Sequence, residues 1–379
     1  MRKRKKKSVC FFRPDYHATF AHLDALRDLG WRAEVFTPKD WPDQLLFDRS
    51  VRRHRNYWKL RSSIWGIFYV IYAVARFRHF IYYGNPPFNV FKIDRILKTK
   101  ADNPFSIELW VFRLFRRKVI YLPTGCLDTL PQRKFSLLDN GNVCGNCGIQ
   151  DRCNDVLNDA NFKMIRKYFN FGFSDGSLES SEYPTKVFPW KAIDLELWSP
   201  NLEVPADFQL PETSAIRIMH SSFLEKSGRN WMGRNIKGTP HVVAAVERLK
   251  SEGHNVEYVF ADNLHIADVR FIQAQADIVV EQLIYGWWGS TGVETMALGK
   301  PVVCYLRNEW KENFFRNFPE YDSLPIVEAD TATIYDVLKQ LVLDEKLRER
   351  KGRESREFAE QHFSPEINAR KLESLLLAE

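Results

Sequence analysis

Short apolar runs recur along the chain, each followed by a longer segment of helical period, and that alternation predicts parallel sheets flanked by helices. Ser8–Phe12 reads as a strand, 17–29 as a helix closed by Gly30, and 32–37 as a second strand. A helix over 57–78, a strand over 79–83, a helix over 107–115 and a strand over 118–122 continue the series, with further strands near 168–173 and 186–188. A second series starts with a strand at 215–221 and a helix at 240–250, whose Pro240 suits a first turn. Strand 256–261, helix 265–274 and strand 277–280 follow, then a short helix from Gly292 to Gly299 and a strand at 301–306. A helix at 309–316, a strand at 324–328 and helices at 331–343, 345–362 and 364–377 complete the pattern. The opening β-α-β unit has no Gly-x-Gly-x-x-Gly fingerprint, which argues against a dinucleotide cofactor.

Pro200, Pro205 and Pro211 break regular structure and set a linker between 198 and 214. The expected layout is a first domain over 1–198, a second over 199–362 and a terminal helix over 363–379. A chain of 379 residues with 45% hydrophobic content supports two cores and is not disordered. Most of the net charge of +7 comes from the basic tail Arg2 to Lys7, a solvated or membrane-surface arm. Cys10-Phe11-Phe12 is cut short by Arg13-Pro14-Asp15, so no signal peptide is expected and the reading is cytoplasmic. The apolar stretch 64–75 is too short to cross a bilayer; it reads either as a core helix or as an interfacial helix at an anionic membrane surface.

Chemistry concentrates in the stretch from Glu281 to Val303. After a buried strand, Gly286, Gly289 and Gly292 let backbone N–H groups approach an oxyanion at the start of a short helix. Glu294 stands three positions after Thr291, which permits a capping box or, alternatively, a carboxylate that meets ribose hydroxyls. Upstream, a polar loop carries Glu225, Lys226, Arg229, Arg234 and Lys237. On charge alone it is an exposed basic loop or a diphosphate clamp.

Cys10 and Cys304 lie inside predicted strands and read as small core residues. Cys144, Cys147 and Cys153 share a glycine-rich turn, and Cys126 is placed to complete a tetrahedral set for structural zinc. An iron–sulfur cluster and free thiols are the alternatives. A closed four-thiolate site would have no catalytic role.

The stretch from Glu281 to Val303 resembles the donor-site signature of retaining GT-B glycosyltransferases, the group that includes glycogen synthases and bacterial polysaccharide and lipid-linked sugar transferases. Glu294 matches the second glutamate of that group's two-glutamate motif, which holds the nucleotide ribose. Gly286 stands where the first glutamate is expected, as in the subset with a Gln-Leu-x-x-Gly-Trp run. The resemblance covers the whole chain, most strongly from Ala215 to Leu306. It extends to the Pro-rich segment that ends at Trp198.

The resemblance implies two Rossmann-like domains facing across a cleft, with the cysteine-rich loop 126–153 inserted in the first and the terminal helix returning to that domain. It implies transfer of a sugar from a nucleotide-sugar donor to a polysaccharide, glycan or lipid-linked acceptor, with retention and without a catalytic metal. Arg234 and Lys237 then take the diphosphate, with Arg229 as the rival. Gln282, Gly289, Ser290, Thr291, Gly292 and Glu294 bind the donor. Thr124 stands where the family often carries a histidine, and Asp128 is the candidate for acceptor or sugar hydroxyls. A peripheral position at the inner membrane face fits such an enzyme. A catalytically inactive GT-B scaffold is the alternative, and a zinc-containing nucleic-acid binder is a second one, though no nucleic-acid partner is expected.

Overall fold

A computed structural model of the chain describes residues 7–14, 17–38, 57–60, 63–84, 105–220, 234–261, 264 and 268–378. The chain divides into two compact units, one of residues 1–135, 154–192 and 365–379, the other of 136–153 and 193–364.

The first unit holds a fully parallel sheet of seven strands: β1 (Ser8–Phe12), β2 (Arg32–Pro38), β3 (Tyr57–Leu60), β4 (His79–Tyr83), β5 (Lys118–Leu122), β6 (Phe171–Ser174) and β7 (Thr185–Val187), in the order β3-β2-β1-β4-β5-β6-β7. The order steps outward from β1 in both directions, as in doubly wound sheets, where the switch of direction opens a crevice at the carboxyl ends of the strands. Its longer helices before the second unit are α1 (Ala18–Asp28), α2 (Ser63–Arg76), α3 (Ile107–Leu114) and α4 (Asp155–Tyr168), among the described residues. The helix expected over 57–78 is two elements, because Tyr57–Leu60 pairs with β2 as an edge strand before α2 begins. Asn154 caps α4 by accepting from the Leu157 N–H at 3.2 Å, and this helix had no counterpart in the sequence reading.

The core of this unit is aromatic. Phe80 and Phe112 stack 4.0 Å apart, and Cys10, Phe12, Tyr82 and Tyr121 are almost wholly buried around them. Glu108 is buried in the same core and accepts a short hydrogen bond from the Tyr82 hydroxyl. α2 packs one side into this core, where Tyr69, Val70 and Ala73 are buried, while Phe68 and Ile71 are exposed.

The second unit holds five parallel strands: β8 (Ile216–His220), β9 (Val256–Val259), β10 (Ile278–Val280), β11 (Val302–Cys304) and β12 (Val327–Glu328), in the order β12-β11-β10-β8-β9. Its helices are α5 (Thr239–Ser251), α6 (Val269–Ala274), α7 (Ser290–Ala297), α8 (Asn308–Asn317), α9 (Ile334–Leu343) and α10 (Glu345–His362). The last helix, α11 (Pro365–Ala378), belongs to the first unit and packs on α1. Trp31 donates its indole N–H to Glu373 at 2.8 Å, and Lys7 pairs with the same carboxylate at 2.8 Å.

The cysteine-rich loop follows β5 of the first sheet in sequence, but its residues 136–153 pack with the second unit, not with the first domain as expected. Polar contacts tie it there. Asp139 meets Arg307 and Tyr305, and Arg234 reaches the Cys147 carbonyl at 3.4 Å and Asp151 at 3.6 Å.

Candidate active site

The second sheet ends in a cluster of buried polar groups at the carboxyl edge of its central strands. β10 runs directly into Glu281 and Gln282, and the ladder with β11 continues beyond both strands: Glu281 N–H donates to Val303 O at 2.8 Å and Tyr305 N–H to Gln282 O at 2.8 Å. Between them the chain loops out through the glycine turn and enters α7.

Glu281 is completely buried, and it is the residue that organises this turn. One carboxylate oxygen accepts from the Lys237 ammonium at 2.8 Å, and the other accepts a short hydrogen bond from the Gly292 N–H in the first turn of α7. The helix start thus receives an internal anion where the sequence reading expected only a ligand oxyanion. Glycines make room for it: a Cβ on Gly289 would lie 2.9 Å from one Glu281 oxygen, and a Cβ on Gly292 2.6 Å from the other.

Lys237 and the glycine turn are therefore brought together, as the assignment of Lys237 to this site required. Arg234 points instead toward the cysteine loop and its Asp151. Glu225, Lys226 and Arg229 lie outside the described residues.

Glu294 is buried on α7, and its carboxylate accepts from Gln273 of α6 at 3.2 Å. The capping box does not form: α7 starts at Ser290 with Gly289 as its N-cap and no side-chain cap, which puts Thr291 inside the helix. Gln282, expected at the donor, is buried, and its amide donates to the Trp287 carbonyl, which braces the turn from within. Trp287 and Trp288 stack at 4.0 Å and pack on Phe314, so these tryptophans are core. Ser290 and Thr291 stay partly exposed at the helix start.

Gly286 has φ +99°, a left-handed conformation that L side chains disfavour. A Cβ there would lie 3.2 Å from both Cβ and Cζ of Arg307. The place of the family's first glutamate is thus closed by a buried guanidinium. Arg307 is 4% exposed, forks onto Asp139 through Nε at 3.1 Å and Nη2 at 2.6 Å, and lies over Trp310 at 4.3 Å. Its Nη1 is buried without a hydrogen-bond partner among the described residues.

His220, at the end of β8, adjoins the same site. Its Nδ1 lies 2.8 Å from Val280 O and its Nε2 2.9 Å from the Thr239 hydroxyl. A carbonyl only accepts, so Nδ1 carries the proton and Nε2 accepts from threonine. Burial is the main cause that drives its pKa down to about 4, and the Lys237 charge adds to it, so the ring is neutral at pH 7.

The first unit has its own polar cluster, at the carboxyl ends of β1 and β5. Asp128 is 4% exposed and accepts from the Thr124 N–H at 2.9 Å and the Thr124 hydroxyl at 2.5 Å. The Asp128 charge also opposes the fall in the Arg13 pKa that burial produces, to about 10. Arg13 itself has φ +62°, a strained conformation for a residue with a side chain. Asp128 is thus held inside the loop that begins at Pro123.

The zinc expectation finds no support in this geometry. Among the described residues no group of three or more His, Cys, Asp or Glu side chains is arranged to hold a metal ion. None of the six cysteines is in a disulfide among the described residues; Cys126 belongs to the first unit, whereas Cys144, Cys147 and Cys153 belong to the second. Among the described residues no helix is long and apolar enough to cross a membrane.

The missed residues are Glu281, Arg307, Asp139 and His220. Glu281 alone had a readable signal, a carboxylate directly after an apolar strand at the edge where α/β proteins bind ligands.

The two parallel sheets and their helices define the GT-B fold, with two Rossmann-like domains. Among solved structures, sucrose-phosphate synthase from Thermosynechococcus elongatus is similar with a TM-score of 0.59 at 13% identity, covering 97% of this chain and 98% of that one. HepE from Anabaena, solved with UDP and glucose, is similar with a TM-score of 0.59 at 13% identity, covering 98% of this chain and 100% of that one. A glycosyltransferase from Rickettsia africae is similar at 0.57 and 9% identity, covering 97% of each chain. No protein-family model matches the sequence, and no curated protein matches it. At these identities the likeness concerns the fold, and any chemistry must be argued from the site.

Proposed function

We propose that the protein is a glycosyltransferase that moves a sugar from a nucleotide-sugar donor to a polysaccharide, glycan or lipid-linked acceptor, with retention at the anomeric carbon. The observation that carries this reading is the Lys237–Glu281–Gly292 arrangement at the start of α7, with Glu294 buried on the same helix. The similarity in fold to HepE, a protein solved with UDP and glucose, supports it.

In this scheme Glu281 is not the phosphate's partner but the strut that holds Lys237 in place and ties down the first turn of α7. The Lys237 ammonium keeps two further N–H donors for the leaving diphosphate, and the Ser290 and Thr291 amides add the helix terminus. These donors are fixed before negative charge builds, so they lower the barrier without reorganising. Glu294 takes the ribose hydroxyls, and Arg234 is the second candidate for the diphosphate. The reading also places the enzyme in the cytoplasm, peripheral to the membrane.

The test is turnover against a panel of nucleotide sugars, joined to the nucleotide affinity of Glu294→Gln. That variant should bind nucleotide about tenfold more weakly, as for the loss of a charge-assisted hydrogen bond, at an unchanged melting temperature. Unchanged affinity, or no turnover with any donor, would overturn the reading.

A further inference from the structure

At the amino ends of β4, β5 and β6, opposite the edge that carries Thr124 and Asp128, the first unit has a cleft of about 600 Å³ lined by Arg78, Arg113, Arg116, Arg117, Arg166 and Lys167. A second groove adjoins it, shares Arg113, Lys167 and Tyr168, and adds Trp110 and Leu114. No residue that lines either groove is acidic.

The cations are built in. Arg113 donates to the Lys167 carbonyl, Arg117 to the Val74 carbonyl at 2.6 Å and Arg166 to the Glu182 carbonyl at 2.7 Å. These bonds use neutral carbonyl acceptors, and among the described residues Arg166 is the one of these three arginines with a carboxylate within 4 Å, Glu182 at 3.8 Å. Burial and the neighbouring Arg78 charge push the Arg117 pKa down, the sign of crowded like charges. Arg116 sits at φ +51° just past α3, a position where glycine is the unstrained residue.

The apolar side chains beside them are exposed to a degree that a sealed core would not allow: Ile71 62%, Trp110 47%, Leu114 60% and Phe115 54%. All lie on α2, on α3 or at its end.

We infer that this face of α2 and α3 docks on an anionic phospholipid membrane, with the arginine cleft on lipid phosphates and Trp110, Leu114 and Ile71 in the interface. Charge complementarity selects the occupant. A groove whose described lining holds several cations and no acidic residue favours a polyanion, and the adjoining aliphatic side chains need an apolar phase. A nucleic acid offers the first and could stack on Trp110, but it gives no apolar phase for the exposed aliphatic Leu114 and Ile71. The inference deepens the peripheral-membrane part of the proposed function, and its test stands apart from sugar transfer because binding is measured without a donor.

The full chain should co-sediment with vesicles of phosphatidylcholine and phosphatidylglycerol at 0.1 M salt and stay free of phosphatidylcholine alone. Arg113→Gln with Arg116→Gln should weaken binding about 25-fold, at about fivefold per cation. Trp110→Ala with Leu114→Ala should remove the part of the binding that survives 0.5 M salt. Melting temperatures of both variants check their folding, and because Trp110 and Leu114 are exposed, the second pair keeps the test open if the first unfolds. Equal binding to neutral vesicles, unchanged affinity in both double variants, tighter binding to short RNA than to vesicles, or full loss on changing only Arg2 to Lys6 to glutamine would each overturn the assignment.

Discussion

Glu281 and Lys237 are tied so closely that neither can be removed without consequence for the other. Losing Lys237 leaves a carboxylate with no solvent exposure, and losing Glu281 strands an ammonium whose side chain is 25% exposed. Each single change, Lys237→Met or Glu281→Gln, should cost about 2–3 kcal/mol, the lower end for a buried pair because the lysine keeps some water. The double variant should regain most of that loss. Turnover should behave differently: it should fall about 10²-fold with Lys237→Met and stay down in the double variant, since a donor to the leaving group is still missing. Denaturation midpoints and turnover measured on the same four proteins separate the two roles. Recovery of turnover along with stability would make Lys237 purely structural.

At the scale of elements, the glycine turn works because each glycine makes room for a buried side chain: Gly289 and Gly292 for the two oxygens of Glu281, Gly286 for Arg307. Gly286→Ala should cost about 1–2 kcal/mol for its left-handed backbone, and its new Cβ, 3.2 Å from Arg307, must also push the Asp139 pair aside. Gly145→Ala, with nothing within 4 Å of the added carbon, is the matched control and should leave the melting temperature nearly unchanged. The turn also shows where sequence reading succeeds. Strands β1, β4 and β5 and helix α10 were placed to the residue, because uninterrupted apolar runs and a long charged periodic segment leave few other readings. The edge strand β3 was lost in a predicted helix because Tyr57, Trp58 and Leu60 continue into the apolar start of α2. Helix α4 was lost because its polar sequence hides the buried stripe of Phe162 and Ile165. Within the site, the glycines were legible from local pattern, and Lys237 from the family resemblance. The Glu281 partner lies 44 positions from Lys237, and Asp139 lies 168 from Arg307, so only folding pairs them.

For the molecule as a whole, acid stability should be governed by histidines buried in neutral form. Burial drives the pKa of His17, His22, His79 and His220 down to about 4. Between about 4 and 6.5 the unfolded chain therefore binds protons that the folded chain does not. Stability rises with pH across this window and is lost as pH falls through it, by roughly 2–3 kcal/mol per histidine. Melting temperature should hold above pH 7 and decline steeply from pH 6.5 to 4, and a flat profile there would contradict the burial of these rings. The packing of α11 on α1 also orders events at synthesis. The face of α1 that α11 covers stays open until residues 365–378 have left the ribosome, although β1 to β7 are complete once residue 187 is made. At about 5–20 residues per second the early sheet waits roughly 10–40 s for its last helix, longer than most chain collapse takes. During that interval the second unit has its whole body translated and free to fold, so the half of the molecule that begins first is the half that finishes last.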